Sequence, residues 1–334
     1  MTKNNLLEIK NLNVQFNVDE GTIYAVNGVD FNVKEGQTLG VIGESGCGKS
    51  VTAHSILQLV PQPPGEITAG EIWFNKKDGK DYEKLNILDL NPKGKEIRKI
   101  RGNHISMIFQ EPMTSFGPLH TIGEQISEAI KIHDNKVSEE EARNRTIKLL
   151  DDVGIPKAEK RVDDYPHQFS GGMRQRAMIA MALSCSPQLL IADEPTTSVD
   201  VTIEAQILDL LRKLQEERGM SIVLITHNLA VVSELADFIA VMYLGERVEY
   251  ASMKDIFENP LHPYTEGLWR SIPTLEGDLK RLKPIKGVVP SPDKMPLGCY
   301  FEPRCEYSMD RCKTSSPEPI EVKPGHWVSC YKYH

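Results

Sequence analysis

Several features are absent from this 334-residue chain. No apolar run approaches the roughly 18 residues that cross a bilayer as a helix. The N-terminus, MTKNNLLEIKNLNV, has no continuous apolar segment like that of a signal peptide. No long block of one charge sign occurs: 39 Lys and Arg stand against 47 Asp and Glu, a net charge of -8. A nucleic-acid surface is therefore not expected. Cysteine is scarce, six residues in all, and no C-x2-4-C pair of the kind structural zinc favours is present. These absences predict a cytoplasmic chain without structural disulfides, in which any clustered thiols lean toward metal binding. The length predicts a large core domain with a smaller attachment.

What is present is an α/β rhythm. TLGVI, QLLIA and SIVLI are short continuous apolar runs, as in buried parallel strands, whereas IYAVNGVDFNV alternates like a half-buried antiparallel strand. Ser138 and Glu141 have capping-box spacing at the start of a predicted helix that Gly154 is placed to end. The charged stretch over residues 75–96, broken by Gly and Pro, is expected to be a solvated loop. Eleven of the 21 prolines fall from residue 259 onward. They predict an irregular appended domain without long helices or central strands.

GESGCGKS, Gly43 to Ser50, is G-x-x-x-x-G-K-S directly after TLGVI and before a helical stretch, the context a phosphate-binding loop needs. Its glycines let successive backbone N–H groups surround phosphate oxygens, Lys49 reaches the β and γ phosphates, and the Ser50 hydroxyl holds Mg2+. Cys47 occupies a variable position of the motif. QLLIADEPTT ends an apolar strand in Asp193, a carboxylate placed to hold Mg2+, and the next residue, Glu194, is the candidate base for the attacking water.

FSGGMRQR, Phe169 to Arg176, resembles the signature of ABC ATPases: a helix N-terminus whose Ser170, Gly171 and Gly172 face a γ-phosphate. The resemblance implies an ABC-type P-loop core over residues 1–258, with a RecA-like subdomain, antiparallel β elements and a helical subdomain at about 111–180. Residues 259–334 form the C-terminal extension. It also implies that ATP is sandwiched between this chain and a second ATPase subunit, identical or homologous. Tyr24 then stacks on adenine, and Gly43, Glu44, Ser45, Gly46, Cys47, Gly48, Lys49, Ser50 and Val51 form the nucleotide loop. Gln110 contacts Mg2+ or water, Asp200 crosses the dimer interface, and His227 touches the γ-phosphate. Met173 stands where glutamine is commoner, and SFGP and TTSVD replace SLNP and TTALD.

The segment over residues 245–273, with NPLHPYT, is similar to dipeptide and oligopeptide importer ATPases. This similarity implies uptake of short peptides through two transmembrane permease subunits, supplied by an external peptide-binding protein. The chain would sit peripherally on the cytoplasmic face of the bacterial inner membrane. Nickel complexes or another small solute are alternative cargoes, and a soluble non-transport ABC ATPase is a more distant one.

Four cysteines remain: Cys299, Cys305, Cys312 and Cys330, spaced C-x5-C-x6-C-x17-C. The gaps match neither zinc knuckles nor the common iron-sulfur spacings. A cubane nevertheless spreads its attachment points over several ångströms, so a [4Fe-4S] cluster is favoured over Zn2+. Tyr300, Phe301, Tyr307, Trp327 and Tyr331 are expected to shield it, and Arg304, Arg311 and Lys313 to balance its charge.

Overall fold

The computed structural model describes residues 4–19, 21–79, 81–110, 115–196, 201–271, 284–291 and 294–334. They fall into two units that alternate along the chain. Met1–Leu6, Val33–Thr38 and Phe74–Ile225 make the first, and Leu7–Asn32, Leu39–Trp73 and Thr226–His334 the second.

In the first unit, strand Leu189–Asp193 lies between Ile105–Ile108 and Ser221–Ile225, parallel to both. Every residue of these strands is buried, as continuous apolar runs require when both faces are covered. The helices Ile122–His133, Glu139–Asp152, Gly171–Ala182 and Val201–Arg218 belong to the same unit. The Ser138 hydroxyl accepts from the Glu141 N–H at 3.1 Å, as its position predicts. The helix that follows ends at Asp152 with Val153 as its C-cap, and Gly154 takes φ 76° just beyond it. The expected solvated loop over 75–96 is largely ordered instead. Strand Gly65–Asp78 turns at Gly79, φ 64°, into strand Asp81–Asn86, and helix Lys95–Ile100 follows. Its charges lie on an exposed strand face, while Ile87, Ile97 and Ile100 are buried.

The second unit holds strand Thr38–Ile42 from Leu39 on. Phe238–Tyr243 pairs parallel to it, then Glu246–Ser252 antiparallel, then His326–Val328 and Ile320–Lys323, each antiparallel. The proline-rich tail is thus less irregular than its composition predicts. Pro263 occupies the first turn of helix Pro263–Arg270, where no N–H is needed. Pro324 and Gly325 make the turn of the 320–328 hairpin.

The tail also shares a core. Tyr264 and Phe301 are buried beside Tyr243, with ring centroids 4.8 and 5.3 Å from it. Burying Phe301 contributes about 2–3 kcal/mol. Because these apolar partners lie on a strand far away in sequence, the tail shows no periodicity of its own.

Candidate nucleotide site and cysteine cavity

The phosphate-loop sequence joins strand Thr38–Ile42 to helix Lys49–Ile56. Two glycines are required by conformation and space together. Gly43 has φ 154° and Gly48 has φ 95°; a Cβ on either would stand 2.2 Å from a backbone oxygen, that of Met242 or of Ala25. Lys49 is buried, and its Nζ donates to the carbonyls of Gly43 at 2.8 Å and Glu44 at 3.1 Å. The first turn of a helix and a buried ammonium therefore converge on one loop, an arrangement suited to a polyphosphate. Ser45 and Gly46 are exposed, Ser50 is half-buried, and Val51 opens the helix. Burial pushes the Cys47 thiol up against the opposing pull of Lys49, so it stays protonated and unreactive.

Tyr24 is 62% exposed and so is not a core tyrosine. The carbonyl of its neighbour Ala25 is the one that closes on Gly48. His227 is exposed just before helix Leu229–Leu235. Its position is fixed by Thr226, whose N–H donates to Val41 at 3.3 Å, in the strand that runs into the loop.

The first unit carries the carboxylates. Asp193 ends its strand at 2% exposure. Glu194 follows at φ 49°, a left-handed backbone held by its N–H bond to the Ile225 carbonyl at 2.8 Å. Gln110, two residues past the neighbouring strand, donates from Nε2 to Glu194 Oε2 at 3.1 Å. Two residues singled out separately in the sequence thus meet.

The signature helix starts where expected. Ser170 caps it by accepting from the Met173 N–H at 3.3 Å. A Cβ on Gly171 would meet nothing within 4 Å, while one on Gly172 would press on Ile203 at 3.3 Å. Gln175, which the motif reading passed over, is buried and donates to the Pro195 carbonyl, tying this helix to the end of the carboxylate strand. Asp200 lies outside the described residues.

The four tail cysteines are free thiols lining one enclosed cavity of ≈ 20 Å³, with His262, Phe301, Tyr307, Met309, Tyr331 and Lys332 around it. Burial, reinforced by the neighbouring thiols, pushes Cys299 up to about 12 and Cys305 to about 11, and raises Cys330. Among the described residues, no three His, Cys, Asp or Glu side chains are grouped to hold a metal ion. Neither the favoured [4Fe-4S] cluster nor the alternative Zn2+ is thus supported by the described side chains.

The expected charge balance also differs. Arg304 pairs with Glu44, Lys313 with Asp310 at 3.0 Å, and Arg311 stacks on Tyr331 at 4.3 Å. Lys332 is the cation at the cavity. Tyr300 and Trp327, named as shields, are not among its lining residues.

The ABC transporter family matches residues 26–197, and the oligopeptide/dipeptide transporter C-terminal region matches 248–312. The oligopeptide transport ATP-binding protein AppD of Bacillus subtilis (strain 168) is 50% identical over 328 residues, 98% of this chain and 97% of that protein. The dipeptide transport ATP-binding protein DppD of the same strain is 46% identical over 326 residues, covering 98% and 94%. A solved dimer of the ATP-binding cassette MJ0796, in a post-hydrolysis state bound to ADP and Pi, aligns at TM-score 0.64 and 29% identity, over 74% of this chain and 98% of that one. With one family model covering residues 26–197 and relatives at 46–50% identity matching nearly from end to end, the chain belongs to the ABC transporter family.

Proposed function

We propose that this chain is the ATP-hydrolysing subunit of a peptide importer. It works as one of two ATPases beneath two permease subunits on the cytoplasmic face of the membrane, with an external peptide-binding protein delivering cargo. Support for hydrolysis comes chiefly from the 3.1 Å contact between Gln110 and Glu194 beside the buried Asp193. That arrangement gives a water-orienting carboxylate a partner that fixes its direction.

In this reading, loop N–H groups and Lys49 bind the β and γ phosphates, and Tyr24 stacks on adenine. Glu194 takes the proton of the attacking water, and His227 steadies the γ-phosphate. Ser170, Gly171 and Gly172 face the nucleotide held by the other ATPase. Ser50, Gln110 and Asp193 each carry a hard oxygen donor of the kind that would hold Mg2+, and the ion would supply charge neutralisation at the phosphates. A short peptide as cargo is supported by the names of the relatives and by the matching C-terminal region.

The test is uptake of a labelled dipeptide by cells in which this gene is replaced by its Lys49→Ala form. Uptake should be lost and ATPase activity of the purified transporter with it. Retained dipeptide uptake overturns the reading, and loss of nickel uptake alone reassigns the cargo.

The cysteine cavity supports a second assignment. The four thiols line one closed space, and we propose that they take an iron-sulfur cluster rather than Zn2+. The residues Cys299, Cys305, Cys312 and Cys330 would hold it as a structural element, because hydrolysis requires no electron transfer. Anaerobically purified protein should contain about four iron and four sulfide per chain. Colourless protein with one zinc would overturn the assignment.

A further inference from the structure

The short turn between Cys299 and Cys305 grips the phosphate loop directly. Arg304, with a side chain only 4% exposed, donates from Nη1 to Glu44 Oε2 at 2.6 Å and from Nη2 to Glu44 Oε1 at 3.1 Å. Such a fork fixes both the position and the plane of the carboxylate. The backbone N–H of the same glutamate donates to the Tyr264 hydroxyl at 2.9 Å. Glu44 is therefore held at main chain and side chain by two tail residues, while its carbonyl accepts from Lys49.

Arg304 is itself well fixed. Its Nε donates to the Lys286 carbonyl at 3.2 Å and its Nη1 to the Tyr243 hydroxyl at 3.4 Å. Its backbone lies in the turn Glu302–Arg304, whose first N–H donates to the Cys299 carbonyl at 2.9 Å and whose Glu302 carbonyl accepts from Cys305 at 3.1 Å. Beside it, the Asn27 amide donates to the Tyr300 hydroxyl at 3.3 Å, three residues along the strand from Tyr24. One seven-residue segment thus touches the phosphate loop and the strand that carries Tyr24.

A phosphate loop binds through backbone N–H groups, so the Glu44 side chain is not needed to contact a nucleotide. A loop with three glycines in its eight residues is costly to order, and ordering it beforehand raises affinity without any added ligand contact. We propose that Arg304 is a positioning residue of the nucleotide site. Through Glu44 it holds the phosphate loop in its binding conformation, so the cysteine-bearing tail sets ATP affinity without touching ATP. The proposal rests on the assignment of Gly43 to Ser50 as the ATP loop.

The test compares ATP hydrolysis by the assembled full-length transporter carrying R304A, R304K, E44A, E44Q or the R304A/E44A pair. R304A should raise the KM for ATP about tenfold, the loss expected of one charge-assisted bond, with a smaller change in kcat. R304K, a point charge that cannot fork, should fall between it and the parent. The paired variant should be no worse than the worse single one, because both remove the same contact.

An unchanged KM in R304A, or additive losses in the pair, overturns the proposal. A merely structural arginine would lower the melting temperature and leave KM alone. If R304A does not fold, E44A and E44Q probe the bond from its partly exposed end, and unchanged KM in both is equally fatal. K49A serves as the control: normal hydrolysis by that variant would show that the ATP-loop assignment itself has failed.

Discussion

Glu249 Oε1 accepts a hydrogen bond from His326 Nε2 at 2.7 Å, and neither side chain reaches solvent. The same carboxylate accepts from the backbone N–H groups of Leu261 at 2.8 Å and His262 at 2.9 Å. It thereby joins strand Glu246–Ser252, the 320–328 hairpin and the approach to helix Pro263–Arg270. His326 Nδ1 is buried without a hydrogen-bond partner, so Nε2, which faces the carboxylate, is the ring nitrogen that donates.

Glu249→Ala should strip three buried donors of their acceptor and destabilise the chain by about 3–5 kcal/mol. Glu249→Gln, which keeps one acceptor oxygen, should lose less. Denaturant titration of the full chain decides this, and a loss below about 1 kcal/mol for the alanine form would show the network to be dispensable.

His262 caps its helix by accepting from the Tyr264 N–H at 3.1 Å. Burial holds the ring down at about 4, against an upward pull from Glu249. The unfolded chain takes up a proton between pH 6.5 and 4 that the folded chain refuses, so stability is lost as pH falls through this window. The full loss is about 3 kcal/mol. His262→Asn keeps a capping oxygen but does not titrate, so the gap between parent and variant should shift with acid. A gap that is the same at pH 7.5 and 4.5 contradicts the account.

Glu246 behaves in the opposite sense. Burial pushes its carboxyl up to about 7, although the Asn27 amide donates to it at 2.9 Å. The folded chain then keeps a proton that the unfolded chain releases between pH 4.5 and 7, so stability falls as pH rises across that range. Glu246→Gln retains the acceptor and removes the charge. It should melt higher than the parent at pH 8, by about 1–3 kcal/mol of stability, and equally at pH 4.5.

At the carboxylate strand, Glu194→Gln should lower kcat by about 10²–10⁴-fold while ATP still binds. Gln110→Ala removes one contact of the glutamate and leaves the carboxylate in place, so it should cost less. Equal losses in the two variants would mean that Gln110 does more than orient its neighbour.

The candidate nucleotide site could be proposed from the sequence because each part is a local pattern. Lys49, Asp193, Gln110 and Ser170 sit at strand or helix ends, where a short motif fixes the backbone as well as the side chain. The grip of Arg304 on Glu44 was not legible, since the partners lie 260 residues apart and neither belongs to a periodic segment. Arg304 was expected to balance the cysteine site, and the nearer carboxylate took it. The tail's prolines correctly limited its helices and strands to short pieces. They concealed its shared core, because Tyr264 and Phe301 pack against Tyr243 and against each other across long gaps in sequence. The hairpin over 75–86 was hidden by charges on a strand whose face is exposed.

The distance between Glu44 and Arg304 along the chain also orders events during synthesis. Glu44 is made 260 residues before the arginine that holds it. A growing chain therefore carries its complete phosphate-binding sequence long before that loop is braced. The last increment of ATP affinity, about tenfold, would then be gained only after the cysteine segment has been made and folded, so an unfinished ATPase holds nucleotide more weakly than the finished one.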